Sequence, residues 1–401
     1  MDCDKILDMQ FKMTDAGRID RVRDLYTTFN PDVDLEAMKK SGYVDALYAM
    51  MEPVLMSFDD YDPRVLAYWA KRGMAKESHG ADKPMSWSEY ESKTGYHWED
   101  PNRQGLQNLA KRWNAFVPVS AFREENKGRR YPVVVALHGG FNPISIIDGW
   151  GFVQEAARRE WIVIVPTIEL DDVLDEILAD VKKLYPVDES RIYAMGFSYG
   201  GFMSNLLGCK RPDVYAAVAP CGAPISDGYT EKAQGPEPQK PFDGKSRAKA
   251  MGVYMPIINV NGNLDGNRFP LYDFVVPSDM PPSMRSITAQ TLLDGINWWA
   301  DVNGAQQIKM EDVMKLKETA PTEAEKYLGI PLAPGCGQRI DTDGLTCYAG
   351  DMPSADGVSR LRIVVEMNTP HWPTPELSCQ VFSFFSHFSR DPVTHESIYH
   401  P

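Results

Sequence analysis

A serine framed by glycines, Gly196-Phe197-Ser198-Tyr199-Gly200, is the first feature of this sequence whose residue types could carry a reaction. A Gly-x-Ser-x-Gly string arises by chance roughly 0.14 times in a chain of this length, so the string alone decides little. Its setting decides more. Arg191-Ile192-Tyr193-Ala194-Met195 reads as a strand and Phe202 to Leu207 as a helix, which places Ser198 at a strand-to-helix turn. Such a turn is sterically tight, and flanking glycines let the backbone close without Cβ clashes. The serine oxygen is then exposed above a sheet, and the unpaired N–H groups of the helix start can meet a developing oxyanion. The chemistry implied is attack on a carbonyl carbon and acyl transfer through a covalent intermediate.

A neutral serine needs a base, most often a histidine held by a carboxylate, and in strand-to-helix sites of this kind the chain order is serine, acid, histidine. Seven histidines are available. His79 and His97 lie upstream of the sheet, and His138 opens His138-Gly139-Gly140 at a strand end, where structural hydrogen bonds are expected. His387 falls in a C-terminal helix, and His395 and His400 in a Pro-bounded tail. His371 follows the strand Leu361 to Glu366 through Met367-Asn368-Thr369-Pro370 and is the candidate base. The candidate acid is Asp265, in Gly262-Asn263-Leu264-Asp265-Gly266 beyond the strand Pro256 to Val260, because open α/β sheets gather their sites at strand C-terminal ends. Asp227, beyond the preceding strand, is its rival. The backbone N–H groups of Tyr199 and Gly140 are the candidate oxyanion donors. Phe141, Trp150, Tyr199 and Trp372 are expected to ring the nucleophile as an apolar or aromatic acyl pocket, with one or two of them packing beneath it.

From about residue 106 apolar runs alternate with helical stripes, which predicts a mostly parallel central sheet with helices on both faces. Tyr131 to Leu137 and Trp161 to Pro166 read as buried strands, residues 147–160 as a crossover helix, and Leu170 to Leu184 as an amphipathic helix. Val214 to Val218 and Pro256 to Val260 are further strands. Residues 1–105, broken by prolines, read as a helical N-terminal appendage, with residues 106–401 as the catalytic domain. Residues 223–250 and 305–345 interrupt the rhythm and read as lid-like insertions. Trp298-Trp299 reads as helix-to-core packing.

The chain has 401 residues and a formal charge of -14, from 42 basic and 56 acidic side chains, which disfavours nucleic acid and anionic membranes as partners. No run approaches the ~18 apolar residues of a membrane span. Acids precede any apolar stretch in Met1-Asp2-Cys3-Asp4, so a cytoplasmic protein is expected unless a leader has been trimmed. The six cysteines show no C-x-x-C pair or metal-ligand spacing, though Cys336 and Cys347 are close enough in sequence to bridge. Serine chemistry of this kind calls for neither a cofactor nor a metal.

With these residues placed, the chain resembles the α/β-hydrolase esterases grouped with polyhydroxybutyrate depolymerases and feruloyl esterases. The matching segments are Val134 to Gly140, Pro186 to Tyr193 running into Gly196 to Gly201, Val214 to Pro220, Trp299-Ala300-Asp301-Val302-Asn303-Gly304 and His371-Trp372-Pro373. The similarity extends over about residues 110–390, with Asn261-Gly262 where that family usually has His-Gly and Asn368-Thr369-Pro370 in place of glycines before the histidine. It implies an α/β-hydrolase fold, a Ser198–Asp265–His371 triad and a small-molecule or oligomeric ester as substrate. A serine peptidase of the prolyl-oligopeptidase type, an acyltransferase with the same triad, and a non-catalytic binding protein on this scaffold are the other readings. Residues 1–105 cannot form the large β-propeller usual in such peptidases.

Overall fold

The computed structural model describes residues 63–84, 110–139, 144–167, 171–225, 244–263, 265, 269–274, 288–342, 345–367, 369, 371 and 373–401. In chain order the strands of the main sheet are β1 (Met74–Pro84), β2 (Ala110–Pro118), β3 (Tyr131–Leu137), β4 (Ile162–Pro166), β5 (Val187–Phe197), β6 (Ala217–Cys221), β7 (Ile257–Gly262), β8 (Gly337–Thr342), β9 (Leu345–Pro353) and β10 (Ser359–Glu366). They lie in the order β1-β2-β4-β3-β5-β6-β7-β10-β9-β8. From β4 to β10 every neighbouring pair is parallel, and antiparallel pairs flank this core on both sides. This is the α/β-hydrolase architecture, as expected.

The parallel core forms because its strands are short apolar runs that can bury both faces. Val133 and Val135 of β3 point into one cluster with Ile162 and Ile164, while Val134 and Ala136 point into the other with Val163 and Val165. Helices α1 (Pro63–Lys71), α2 (Phe152–Arg159), α3 (Asp171–Leu184), α4 (Tyr199–Lys210), α5 (Gly244–Met251), α6 (Ala289–Val302), α7 (Met310–Leu316), α8 (Glu323–Leu328) and α9 (Pro375–Ser386) pack around it. The apolar stripe of α3, Val173, Leu174, Ile177, Leu178 and Val181, joins the first cluster together with α4 and α6. Helices α1, α2 and α9 cover the opposite face. Trp299 is fully buried in α6, and its indole N–H donates to Asn205 Oδ1 of α4 at 3.0 Å, so it packs helix to core as its neighbours in sequence imply. A small hairpin, β11 (Phe388–Arg390) and β12 (Ser397–Tyr399), ends the chain.

The sequence reading of residues 1–105 as purely helical is corrected at Met74–Pro84. This segment is a strand, paired antiparallel with β2 from Met74↔Pro118 to Gly80↔Arg112. The remainder of that region, apart from α1, lies outside the described residues. A buried ion pair fastens the strand to the sheet's helical cover. Lys76 Nζ lies 3.0 Å from Asp148 Oδ2, with side-chain exposures of 2% and 4%, and the Trp69 indole N–H of α1 also donates to Asp148. Removing one partner strands a charge in low dielectric, so Asp148→Ala is expected to cost about 3–5 kcal/mol of stability, read from its urea midpoint.

Two further differences concern the second half. The insertion at 305–345 contributes β8, an edge strand, besides α7 and α8. Cys347 pairs in register with Ile340, whereas Cys336 precedes the Gly337↔Gly350 pair, and both thiols are free rather than bridged. Among the described residues no helix is long and apolar enough to cross a membrane, and no group of three or more His, Cys, Asp or Glu could hold a metal ion.

Candidate active site

The site residues stand at the C-terminal ends of three parallel strands. Strand β5 ends at Phe197, β7 at Gly262 and β10 at Glu366, and the registers Phe197↔Cys221, Cys221↔Val260 and Glu366↔Gly262 bring these ends to one edge of the sheet. Ser198 follows β5 directly and caps α4 with φ 58° and ψ -116°. A non-glycine residue with such angles costs on the order of 1–3 kcal/mol and persists only where its surroundings impose it. Here the Ser198 N–H donates to Cys221 O at 3.0 Å, and Ser198 O accepts the Phe202 N–H at 3.1 Å as the first helical bond.

The flanking glycines are required by close backbone approach. A Cβ at Gly196 would stand 2.3 Å from Gly200 O, and one at Gly200 would stand 2.3 Å from Leu137 O and 2.6 Å from His138 O. All three are backbone carbonyls, with no flexible side-chain end that could yield. Gly200→Ala is therefore expected to cost about 1–3 kcal/mol, measured by urea denaturation, as overpacking forces the backbone to shift.

Asp265 is almost fully buried, at 3% exposure, and its N–H closes a turn onto Gly262 O at 3.1 Å. Its Oδ2 lies 2.9 Å from His371 Nδ1. The imidazole in turn packs against Phe197, the residue before Ser198, with ring centroids 4.7 Å apart. The structure thus pairs the candidate acid with the candidate base and sets that base beside the serine turn. Tyr199 is the first residue of α4, a 12-residue helix whose N-terminus carries the positive end of its dipole. Gly140, Phe141, Trp372 and the rival acid Asp227 lie outside the described residues.

Of the four aromatics expected around the nucleophile, Trp150 and Tyr199 lie among the described residues. Trp150 is fully buried and packs edge-on against Phe197 at 5.7 Å and Phe152 at 5.8 Å, which places it among the aromatic residues packed around the serine turn. His138 does make structural contacts, through Nδ1 with Gly139 O at 2.8 Å and Nε2 with Thr167 O at 3.3 Å. Burial lowers its pKa, against the two carbonyl contacts that raise it.

Several polar residues of the site escape motif reading. Asn259 Nδ2 donates to Pro220 O at 2.6 Å and to Ala223 O at 2.8 Å, bracing the loop whose Cys221 carbonyl holds Ser198. Asn261 Nδ2 donates to Asn259 Oδ1 at 2.6 Å. The signal was present: asparagines at alternate positions of an otherwise apolar buried strand demand partners.

Residues 164–249 match the prolyl oligopeptidase family. The chain is 31% identical to feruloyl esterase B of Piromyces equi over 124 residues, 30% of this chain and 20% of that protein. It is 25% identical to poly(3-hydroxyalkanoate) depolymerase C of Paucimonas lemoignei over 111 residues, 22% of this chain and 27% of that protein. The chain thus spans about a fifth to a quarter of the length of these curated relatives. Among solved structures, S-formylglutathione hydrolase of Staphylococcus aureus aligns with a TM-score of 0.34 and 15% identity, covering 47% of this chain and 77% of that one.

Proposed function

We propose that this chain, an α/β-hydrolase by fold, is a serine esterase that cleaves carboxylic esters through an acyl-enzyme on Ser198. The observation that carries the reading is the Asp265–His371 pair at 2.9 Å, set beside the strained turn that presents Ser198. With Nδ1 engaged by the carboxylate, Nε2 is the nitrogen that takes the Ser198 proton as the hydroxyl attacks the ester carbonyl. The tetrahedral oxyanion is met by the N–H groups of Tyr199 and Gly140. Collapse expels the alcohol, which takes the proton back from His371; water, activated by the same imidazole, then releases the acid.

Similarity to feruloyl esterases and to a hydroxyalkanoate depolymerase supports an ester as substrate and directs the choice of acyl groups to aromatic and hydroxyalkanoyl ones. The test is labelling with a fluorophosphonate, followed by peptide mapping, and turnover of a panel of p-nitrophenyl and feruloyl esters. Label on the peptide carrying Ser198, together with ester turnover, is expected. Label confined to another residue overturns the reading.

The match of residues 164–249 to the prolyl oligopeptidase family favours a second reading, peptide-bond cleavage by the same residues. Faster turnover of peptidyl p-nitroanilides than of the matched esters would select it. Formation of a new ester when an alcohol is added would instead mark an acyltransferase.

A further inference from the structure

His371 sits in the loop between β10 and α9, and what holds that loop is a set of hydrogen bonds outside the triad. On its near side, the Asn263 N–H donates to Glu366 O at 2.9 Å, which ties the loop of Asp265 to the last residue of β10. Asn263 Oδ1 accepts the Thr369 N–H at 3.3 Å, a second tie two residues before His371. On the far side, Thr374 Oγ1 donates to Glu366 Oε1 at 2.6 Å while accepting the Leu377 N–H at 2.9 Å as the cap of α9. Glu366, Thr369 and Thr374 are all buried.

We propose that Asn263, Glu366 and Thr374 form a clasp that sets His371 at its working distance from Asp265, and that they act on turnover through His371 without touching substrate. The inference rests on the esterase reading. A structural cap for α9 alone would require only Thr374 and the Leu377 N–H. The carboxyl group beneath it adds a bond that closes the His371 loop on itself, and Asn263 joins that loop to the loop of the acid. Displacing a catalytic group by about 1 Å can cost on the order of 100-fold in rate, so small movements of this loop fall on kcat.

The chemistry of Glu366 fits a neutral fastener. Burial pushes its carboxyl up to about 8, against the Thr374 hydroxyl bond that lowers it. Glu376 adds repulsion, and among the described residues the thiols of Cys221 and Cys347, both raised by burial and by Glu366, are its other titratable neighbours. A carboxyl raised by folding stabilises the protein below its unfolded value near 4.5, and that stabilisation is lost as pH rises through about 8. Glutamine keeps an acceptor for Thr374 and removes this loss.

The test compares Thr374→Val, Glu366→Leu and Asn263→Ala with Thr374→Ser and Glu366→Gln, each assayed on a p-nitrophenyl ester and normalised to sites titrated by a fluorophosphonate. Normalisation removes any fraction that fails to fold, and Asn263, near the surface, supplies a variant with little burden on the core. The first three are expected to lose roughly 10- to 100-fold in kcat per titrated site with KM within about twofold. The serine and glutamine variants are expected within about threefold of the parent, and Glu366→Gln to gain urea resistance over the parent between about pH 5 and pH 8. Parental kcat per site in Thr374→Val, Glu366→Leu and Asn263→Ala overturns the clasp, as does a loss expressed wholly in KM. Ser198→Ala and His371→Ala separate the two levels: inactive controls beside unaffected clasp variants sink the clasp alone, whereas controls with parental turnover sink the esterase reading and the clasp with it.

Discussion

Alanine at position 198 is expected to abolish turnover of p-nitrophenyl esters, with kcat falling roughly 10⁴- to 10⁶-fold while far-UV circular dichroism and the urea midpoint stay near those of the parent. The size of the effect follows from covalent catalysis: without the hydroxyl no acyl-enzyme forms, and the oxyanion donors and substrate binding leave only a residual acceleration over water. Alanine keeps the Cβ and therefore the strain at φ 58°. Glycine does not. Ser198→Gly is expected to be equally inactive yet more stable than the parent by about 1–3 kcal/mol, because the backbone angles cost glycine little. A glycine variant no more stable than the alanine variant would mean that the turn stores no strain.

The second large effect is expected at Asp265. Asparagine there keeps the shape but presents either an amide N–H or a neutral carbonyl to His371 Nδ1, which now lies 2.9 Å from a carboxylate oxygen. The imidazole then loses the partner that selects its tautomer and stabilises its charged form, and kcat is expected to fall by roughly 10⁴-fold. Asp227→Asn is the matched control and is expected to keep parental kcat. If the loss follows Asp227 and spares Asp265, the acid has been assigned to the wrong loop. Both variants are read at saturating substrate, so that the comparison reports the chemical step.

The parts of this architecture legible in the sequence are those governed by local rules. The parallel strands β3, β4 and β7 announce themselves as apolar runs, and the glycines at 196 and 200 as a turn with no room for a Cβ. The candidate serine, acid and histidine are picked out by their order after strand ends, and the structure brings the last two within 2.9 Å of each other. Strand β6 lies at Ala217–Cys221 and not at Val214–Val218, and it runs through Pro220, a residue otherwise rare in central strands. In the fold its carbonyl is taken up by Asn259.

Strands β1 and β8 were missed for a different reason. Met74–Pro84 and Gly337–Thr342 are polar segments with few β-branched residues, and they become strands by pairing with a neighbour already in place. The ties among Asn263, Glu366 and Thr374 join loops far apart in sequence, with Asn263 some hundred residues from Thr369. Nothing local to any one of these residues encodes that meeting.

Strand β1 also bears on where this protein can be divided. A fragment begun at residue 106, where the alternation of strands and helices starts in the sequence, would keep β2 but lose its partner from Met74↔Pro118 to Gly80↔Arg112. The backbone N–H and C=O groups on that side of β2 would face solvent beside Trp113, Phe116 and Val117, side chains that are buried in the intact fold. An unpaired strand edge next to uncovered aromatic surface is a template for intermolecular pairing. The segment that reads least like a strand is therefore the one that covers this edge of β2.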